Sequence, residues 1–419
     1  MIDPAYADVA VVGAGAAGVG VGVALSKLDL DIRVLERERV GASFRAWPDE
    51  MRFITPSFPS NSFGLTDLNA ITPDTSPAFT LDREHPSGDE YANYLEAVVE
   101  YYELPVETGV DVREIQPLAD LDGANTVATE AVEPLSAVDG GTVSETTDSG
   151  GFLLETSNGP LVADHVVWAA GHFGSPRTNV ISGSEHCLHT SAVDSWHSHT
   201  DTAGEEFLII GGYESGIDAA VGLHNAGASV RVLDRRWPWA ERHPDPSEVL
   251  APYTLERLKK IVDSDRLTLN GGRDVERVRR TDDGFAVDVR PAAVEDTPSG
   301  VNSADESETF HVPTRPLLAT GFEPTLGPVE PHFVVEESSV QLTDRDESTT
   351  TPGVFFVGPD VTHNGVKFCF IYKFRARFPV IAESIGQRLG VETDVLEEYR
   401  QQNMFLDDLS CCEPDMCDC

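Results

Sequence analysis

Two glycine-rich segments lie about 200 residues apart in this chain, each between a short apolar run and a second apolar run that ends in an acid. Each copy has three glycines followed, 23 positions after the first of them, by a carboxylate: Gly13, Gly15, Gly18 and Glu36 in the first copy, and Gly211, Gly212, Gly216 and Asp234 in the second. Few folds accommodate this pattern twice in register. It predicts a chain that holds two nucleotides at once.

The chemistry of each copy is that of a dinucleotide-binding turn. The apolar runs 9–12 and 207–210 are typical of strands buried on both faces of a parallel sheet. The first glycine permits a tight turn, and the later ones let the backbone approach a pyrophosphate and let the helix pack on the strand. The phosphates then lie at a helix N-terminus, and the acid accepts hydrogen bonds from a ribose. In the second copy Tyr213 occupies the usual position of the middle glycine.

The charge of the chain is extreme, with 71 acidic against 30 basic residues and a formal net charge of −41. Nucleic acid is excluded as a partner, because phosphate binding needs the opposite sign. A surface this acidic resembles that of proteins from salt-accumulating halophiles, in which high ionic strength screens self-repulsion. We therefore interpret the charge as a sign of habitat and not of chemistry.

The first predicted strand begins within about eight residues of Met1, which leaves no room for a secretory signal. No apolar run approaches the ~18 residues of a membrane span. We expect a cytoplasmic protein without a membrane partner, acting on a small molecule or a thiol/disulfide partner, with a homodimer possible by analogy with similar architectures.

The order of elements predicts an α/β fold of two nested Rossmann-like domains, the second inserted in the first. At 419 residues the chain is long enough for two or three domains. The expected division is a first part of one domain at 1–203, an inserted domain at 204–311, the second part of the first domain at 312–402, and a cysteine-rich tail at 403–419. A final long helix is expected from Val366 to Leu389.

These motifs, in this order, resemble the flavin-dependent oxidoreductases built from two dinucleotide-binding domains. That superfamily includes thioredoxin-reductase-like enzymes, flavin-containing monooxygenases and bacillithiol-disulfide-reductase-like flavoproteins, and the resemblance covers most of residues 7–390. GAGAAG with Glu36 is similar to an FAD site, and GASF (41–44) to a GGTW-type turn. WAAGHF (168–173) and LATGFEP (318–324) resemble the two interdomain crossings, and VFFVGPD (354–360) resembles the late motif whose acid, here Asp360, holds the flavin ribityl chain.

The resemblance implies FAD in the first site and NAD(P)H in the second. The residues expected to contact FAD are Gly13, Gly15, Gly18, Glu36, Arg37, Ser43, Phe44, Gly171, Gly321 and Asp360. Those expected to contact the nicotinamide cofactor are Gly211, Gly212, Glu214, Ser215, Gly216, Asp234, Arg235 and Arg236. Arg235 and Arg236 favour NADPH, because guanidinium binds a 2′-phosphate, whereas Asp234 favours the free ribose of NADH.

The electron acceptor stays open between three hypotheses. In the first, the protein is a disulfide reductase, and electrons pass to a thiol pair. LSCC (409–412) is similar to the C-terminal pair of mercuric reductases, so Cys411 and Cys412 are candidate catalytic thiols. Cys369, in KFCFIYKFR, is another, although a cysteine among phenylalanines is also typical of an inert core.

In the second hypothesis the protein is a flavin monooxygenase of a small soft nucleophile. The segment around His189 and Trp196 lies where that group has a Phe-x-Gly-x-x-x-His motif, but it lacks the Phe and the Gly at their spacing. In the third it is a non-catalytic flavoprotein, a sensor or delivery protein, whose tail binds Zn²⁺ or Cu(I). The candidate metal ligands are Cys411, Cys412, Cys417 and Cys419, four of the six cysteines within the last nine residues.

Overall fold

Two parallel sheets organise the chain, and each contains the strand that leads into one of the glycine-rich turns. The computed structural model describes residues 4–59, 66–121, 150–243, 247–293, 307–336 and 339–411. The bounds of the elements follow in chain order, and single turns of 3₁₀ helix supplement them at Ser184–His186, Thr190–Ala192, Gly327–His332, Arg375–Arg377, Asp394–Leu396 and Leu409–Cys411.

The strands are β1 (Ala5–Val12), β2 (Ile32–Glu36), β3 (Val106–Thr108), β4 (Val112–Pro117), β5 (Phe152–Thr156), β6 (Gly159–Trp168), β7 (Leu188–His189), β8 (Glu206–Ile210), β9 (Ser229–Leu233), β10 (Leu267–Asn270), β11 (Arg273–Thr281), β12 (Gly284–Pro291), β13 (Glu308–Val312), β14 (Leu317–Leu318), β15 (Val335–Glu336), β16 (Ser339–Val340), β17 (Val354–Phe356), β18 (Thr362–His363) and β19 (Val366–Lys367). The α-helices are α1 (Ala16–Ser26), α2 (Ala42–Arg45), α3 (Pro77–Leu81), α4 (Gly88–Tyr101), α5 (Leu118–Leu121), α6 (Trp196–Ala203), α7 (Glu214–Asn225), α8 (Pro252–Lys259), α9 (Ile371–Phe374), α10 (Phe378–Leu389) and α11 (Glu397–Gln401).

The first sheet has the order β3-β2-β1-β6-β5-β4, and its strands β3, β2, β1 and β6 are parallel. β17 pairs in parallel with the end of β6, so the last third of the chain returns to the sheet that the first third began. Helix α1 is almost wholly buried and packs against α10, where the Phe378 ring fills the space beside Gly20. The nested connectivity predicted from the motif order is confirmed by this return.

The second sheet has the order β10-β9-β8-β14-β7, all parallel, and surrounds the second glycine turn. Its strands β7 and β14 lie outside the range 204–311 that the sequence predicts for this domain. The segments on both sides of that range therefore contribute to the sheet. An antiparallel unit, β11-β12-β13, packs on the same sheet through a separate apolar cluster.

The predicted final helix from Val366 to Leu389 is wrong in its first five residues, whereas α9, a 3₁₀ turn and α10 make the chain helical from Ile371 onward. Val366 and Lys367 belong instead to the hairpin β18–β19, whose turn has Asn364 and Gly365 at positive φ. Helix α10 itself begins at Phe378, with Pro379 in its first turn, where a missing N–H costs nothing. Within the described ranges, no helix is both long and apolar enough to cross a bilayer.

A buried ionic network joins the hairpin β18–β19 to the C-terminal segment. The fully buried Asp346 carboxylate accepts from Arg377 Nε at 2.7 Å and lies 2.5 Å from His363 Nε2. The Arg377 guanidinium also donates to the carbonyl oxygens of Leu406 and Asp344, the latter at 2.6 Å. Since both charges are out of water, removing one leaves the other uncompensated.

We expect Asp346→Asn to lower the free energy of unfolding by about 3–5 kcal/mol, because Arg377 then loses its buried counter-charge. Asn tolerates the left-handed backbone that Asp346 adopts (φ 61°), so the change isolates the charge. Denaturant unfolding measures the loss. Asp288→Asn is the control, because Asp288 pairs with Arg279 on an accessible sheet and its loss should change stability little. Equal effects of the two changes would contradict the prediction.

Candidate cofactor sites

The first glycine turn leaves an open cradle at the N-terminus of α1. Gly13 has φ +106°, and a Cβ at Gly18 would collide with the Gly13 carbonyl oxygen, so both positions require glycine. A Cβ at Gly15 would meet nothing within 4 Å. Gly15 is also the N-cap of α1, and no side chain caps that helix. Uncapped N–H groups facing an open space fit a pyrophosphate.

Glu36 holds this turn in place. One carboxylate oxygen accepts from Ala14 N at 2.7 Å and the other accepts from Glu38 N at 2.8 Å. A carboxylate has about four acceptor positions, so two remain for ribose hydroxyls. Arg37, by contrast, lies exposed beside Glu38 at 3.5 Å.

The GASF segment lies directly against the first glycine turn, because Gly41 N donates to the carbonyl oxygen of Ala14 at 3.0 Å. Phe44 packs in an aromatic cluster with Trp47, Phe53 and Tyr91, at ring distances of 4.9 to 5.7 Å. Ser43 is exposed. The turn thus joins the predicted FAD site to the irregular segment 45–59.

Asp360 follows β17 and lies beside the first interdomain crossing. Its Oδ1 is 3.0 Å from His172 Nδ1, while its Oδ2 is buried without a hydrogen-bond partner among the described residues. An unpartnered buried carboxylate oxygen is costly and fits a ligand that brings a hydroxyl donor. The residues present therefore fit the ribityl chain of FAD.

The two interdomain crossings are bonded to each other. Gly171 and Gly321 both have left-handed backbone, with φ of 64° and 77°. Gly171 O accepts from Thr325 N at 2.9 Å, and Gly321 O accepts from Arg177 N at 3.0 Å. Gly171 and Gly321 thus lie where the two interdomain crossings run side by side.

The second glycine turn repeats the bonding of the first. Asp234 accepts from Gly212 N at 2.6 Å and from Arg236 N at 2.7 Å, as Glu36 accepts from Ala14 and Glu38. Gly211 has φ +104°, and a Cβ at Gly216 would collide with its carbonyl oxygen. No side chain caps α7, and Ser215 lies in its first turn. This turn therefore also fits a dinucleotide.

Tyr213 makes the second site different from the first. Its hydroxyl lies 2.9 Å from the carbonyl oxygen of Ser247 and 2.7 Å from that of Val249. Trp239 packs over the backbone of Gly212. In the first turn, Gly15 leaves open space. At the equivalent position of the second turn, Tyr213 binds the turn to segment 247–251.

Glu214, a predicted cofactor residue, bonds within the domain. Its carboxylate accepts from Ala251 N and Thr254 Oγ1, both at 2.5 Å. Burial raises the pKa of Glu214 to about 7, against the lowering effect of these two bonds. The carboxylate thus changes charge near neutral pH at the first residue of α7.

The arginines that follow Asp234 are both exposed. Arg236 Nη1 lies 3.8 Å from Glu241 Oε2, and no ion pair of Arg235 falls within the described residues. Their side chains stand at the end of β9 beside Asp234, where an adenosine 2′-phosphate would lie if the turn binds NADPH.

Cys369 lies at the contact between the two domains. Its Sγ is 3.2 Å from Ser247 Oγ, which also accepts from Lys373 Nζ at 2.8 Å. Of the four tail cysteines, Cys411 falls within the described residues, as the end of a 3₁₀ turn, and Cys412, Cys417 and Cys419 lie outside them. Within the described part of the chain, no cluster of three or more His, Cys, Asp or Glu side chains is arranged to hold a metal ion.

Sequence reasoning missed Glu50, which lies between the domains. It accepts from Ser195 Oγ at 2.8 Å, from Trp196 N at 2.9 Å and from His197, at the N-terminus of α6. Burial raises the pKa of Glu50, but the hydrogen bonds prevail and lower it to about 2. No local pattern marks this residue, because its partners are some 145 positions away.

The family model described as "Pyridine nucleotide-disulphide oxidoreductase" matches residues 10–137 and 141–358. The match covers most of the chain, including both glycine turns and both interdomain crossings. The chain belongs to the pyridine nucleotide-disulphide oxidoreductase family. The superfamily resemblance and the two-domain α/β fold expected from the motifs are thereby confirmed.

Among curated relatives in this family, the chain is 27% identical to the ferredoxin–NADP reductase of Gluconobacter oxydans over 221 residues, 52% of this chain and 59% of that one. It is 22% identical to the bacilliredoxin reductase Bdr of Bacillus subtilis over 252 residues, 58% of this chain and 68% of that one. The chain therefore matches less than two thirds of the length of the first of these relatives.

Solved structures share the fold over almost the whole chain. The bacillithiol disulfide reductase Bdr of Staphylococcus aureus superposes with a TM-score of 0.67 at 18% identity, covering 92% of this chain and 99% of that one. A flavin-containing monooxygenase of Stenotrophomonas maltophilia gives 0.61 at 17% identity, with the same coverage. The architecture is common to reductases and monooxygenases, so it does not choose between them.

Glu214 makes stability depend on pH. A carboxyl whose pKa is raised from 4.5 in the unfolded chain to about 7 in the fold stabilises the fold fully below pH 4.5, and that contribution is lost as the pH rises through 7. We expect Glu214→Gln to match the wild type at pH 4 and to exceed it by about 3 kcal/mol at pH 8.5. Denaturant unfolding at constant ionic strength measures this difference.

The amide that Glu214→Gln introduces would still accept from Ala251 N and could donate to Thr254 Oγ1, so the change removes chiefly the charge. Glu256→Gln, on the exposed side of α8, is the matched control and should track the wild type at both pH values. A Glu214→Gln difference that does not grow with pH would overturn the prediction.

Proposed function

We propose that this protein is an FAD-dependent oxidoreductase that takes a hydride from NAD(P)H and delivers the electrons to a disulfide through thiols of its C-terminal segment. In balanced form, NAD(P)H, one proton and the disulfide give NAD(P)⁺ and two thiols. The family match, the paired turns and the orphaned oxygen of Asp360 support the first half of this proposal. The position of the C-terminal segment supports the second half.

FAD, when bound, supplies the two-electron chemistry that no side chain provides. The chain's own part is to bind and to orient. The open cradle at Gly15 would take the pyrophosphate of FAD, Glu36 its ribose and Asp360 its ribityl chain. The N-terminus of α7 and Asp234 would take the nicotinamide nucleotide, close to the contact of Cys369 with Ser247.

One contact supports a disulfide as the electron acceptor. Asn364 Nδ2 donates to the Leu409 carbonyl oxygen at 3.2 Å, and Asn364 is in the turn of the hairpin that begins two residues after Asp360. Leu409 itself is buried. Three residues of extended chain span at most about 10 Å, so Cys411 and Cys412 begin within that distance of Leu409. The vicinal thiol pair therefore follows, within three residues, a segment that is bonded to the hairpin after Asp360.

Cys369 is the alternative thiol. It follows the same hairpin by two residues, and its Sγ and the Nζ of Lys373 both contact Oγ of Ser247 in the neighbouring domain. Separate variants of Cys369 and of the tail pair therefore distinguish the two routes.

We expect purified protein to carry flavin absorption that NADPH bleaches under argon, and a small aromatic disulfide to restore it. The double change Cys411→Ser with Cys412→Ser should leave bleaching by NADPH intact and slow reoxidation by the disulfide at least tenfold, as measured by stopped-flow absorbance. Cys369→Ser is the matched control, because it also removes one thiol near the hairpin.

Protein without flavin would refute the whole proposal. Loss of disulfide reduction in Cys369→Ser alone would move the thiol function to Cys369. Rapid reoxidation by oxygen, coupled to oxidation of a soft nucleophile and indifferent to disulfide, would instead establish a monooxygenase. A tail that binds one Zn²⁺ per chain in a protein inert to both acceptors would establish a metal-binding flavoprotein.

We further propose NADPH as the preferred donor, because two exposed arginines, Arg235 and Arg236, stand beside the single carboxylate of Asp234. Changing both arginines to alanine should weaken NADPH binding about 10- to 100-fold, the equivalent of one lost charged hydrogen-bond pair, and should leave NADH nearly unaffected. Titration with NADP⁺ and NAD⁺ measures this. Equal losses for the two nucleotides would contradict the assignment.

A further inference from the structure

We infer that His172 is a positioning residue for the Asp360 carboxylate, and that it ties this carboxylate to both interdomain crossings. The inference rests on the proposed binding of FAD and names a residue that neither glycine motif contains. His172 stands directly after Gly171 in the first crossing, 188 positions before Asp360.

The contact between the two side chains leaves Asp360 half satisfied. His172 Nδ1 lies 3.0 Å from Asp360 Oδ1, and because an ionised carboxylate only accepts, Nδ1 must carry the proton. Asp360 Oδ2 stays buried without a partner among the described residues. With Oδ1 held by the imidazole, rotation of the carboxylate is restricted, and Oδ2 is presented to a hydroxyl of the ligand.

The His172 ring is itself fixed by the second crossing. It stacks on Phe322 with ring centroids 5.2 Å apart and planes 8° from parallel. Phe322 also meets the ring of His189, which belongs to β7 of the second sheet, at 5.2 Å. The position of the imidazole is therefore set by residues of both crossings, which are bonded to each other at Gly171 and Thr325.

Among the described residues, the imidazole has one carboxylate partner. Its side chain is one-third exposed, and Asp360 is the carboxylate within ion-pair distance among the described residues. Trp168 at the start of the same crossing uses its indole N–H on Thr325 O at 2.6 Å and does not compete for Asp360. These contacts therefore support one role for His172, which is to hold the Asp360 carboxylate in place.

The test compares two substitutions at one position. His172→Asn keeps an N–H donor close to the place of Nδ1, whereas His172→Leu keeps the bulk and removes the donor. We expect the apoprotein of His172→Leu to bind FAD at least tenfold more weakly than the wild type, and His172→Asn to stay within about threefold. FAD fluorescence titration gives the affinities, and visible circular dichroism of the bound flavin reports its orientation.

A double-mutant cycle separates positioning from a general structural role. If His172 acts through Asp360, then His172→Leu should add little to the loss already caused by Asp360→Ala, whereas independent effects would add. Additive losses, or a His172→Leu variant with wild-type affinity and spectrum, would overturn the inference while leaving the proposed function intact. A wild-type protein that binds no FAD would remove both together.

Discussion

The bond from an acid at the end of one strand to the backbone of a glycine turn determines both nucleotide sites. Glu36 receives the Ala14 amide and Asp234 receives the Gly212 amide, at 2.7 and 2.6 Å. Each bond fixes a turn that only glycine can form, and each turn begins a helix whose first N–H groups no side chain caps. Sheet, turn and helix N-terminus are thus held in one geometry, twice in the chain, before any ligand adds its own contacts.

The two copies diverge at one residue of the turn. Gly15 leaves space at the N-terminus of α1, whereas Tyr213 reaches from the N-terminus of α7 to the carbonyl oxygens of segment 247–251. An open cradle with one unpartnered carboxylate oxygen at Asp360 suits a cofactor that stays bound. In the second turn, Tyr213 and Glu214 already have hydrogen-bond partners. Such a turn suits a nucleotide that exchanges, because each binding event competes with these existing bonds.

The sequence patterns predicted the structures that are formed by residues close together along the chain. They missed contacts between residues that only the fold brings together. The glycine-to-acid spacing was sufficient for both turns, since strand, turn and helix are contiguous there. The final helix was predicted too long, because the apolar residues after Val366 are buried in a hairpin and in the 3₁₀ turn around the buried Arg377. His172 lies inside a predicted motif, but its role depends on Asp360, and only the return of β17 to β6 brings the two together.

The contacts between the two domains depend little on long-range electrostatic attraction. Ion pairs exposed to solvent weaken as the ionic strength rises. Glu50 instead binds the N-terminus of α6 through short hydrogen bonds, and with a pKa of about 2 it keeps its charge throughout the neutral range. Within the first domain, the Asp346–Arg377 ion pair is fully buried and so is also shielded from salt. Because Glu50 stays charged near pH 7, a change of pH there acts instead on Glu214, whose protonation changes and alters the charge at the second turn while these contacts persist.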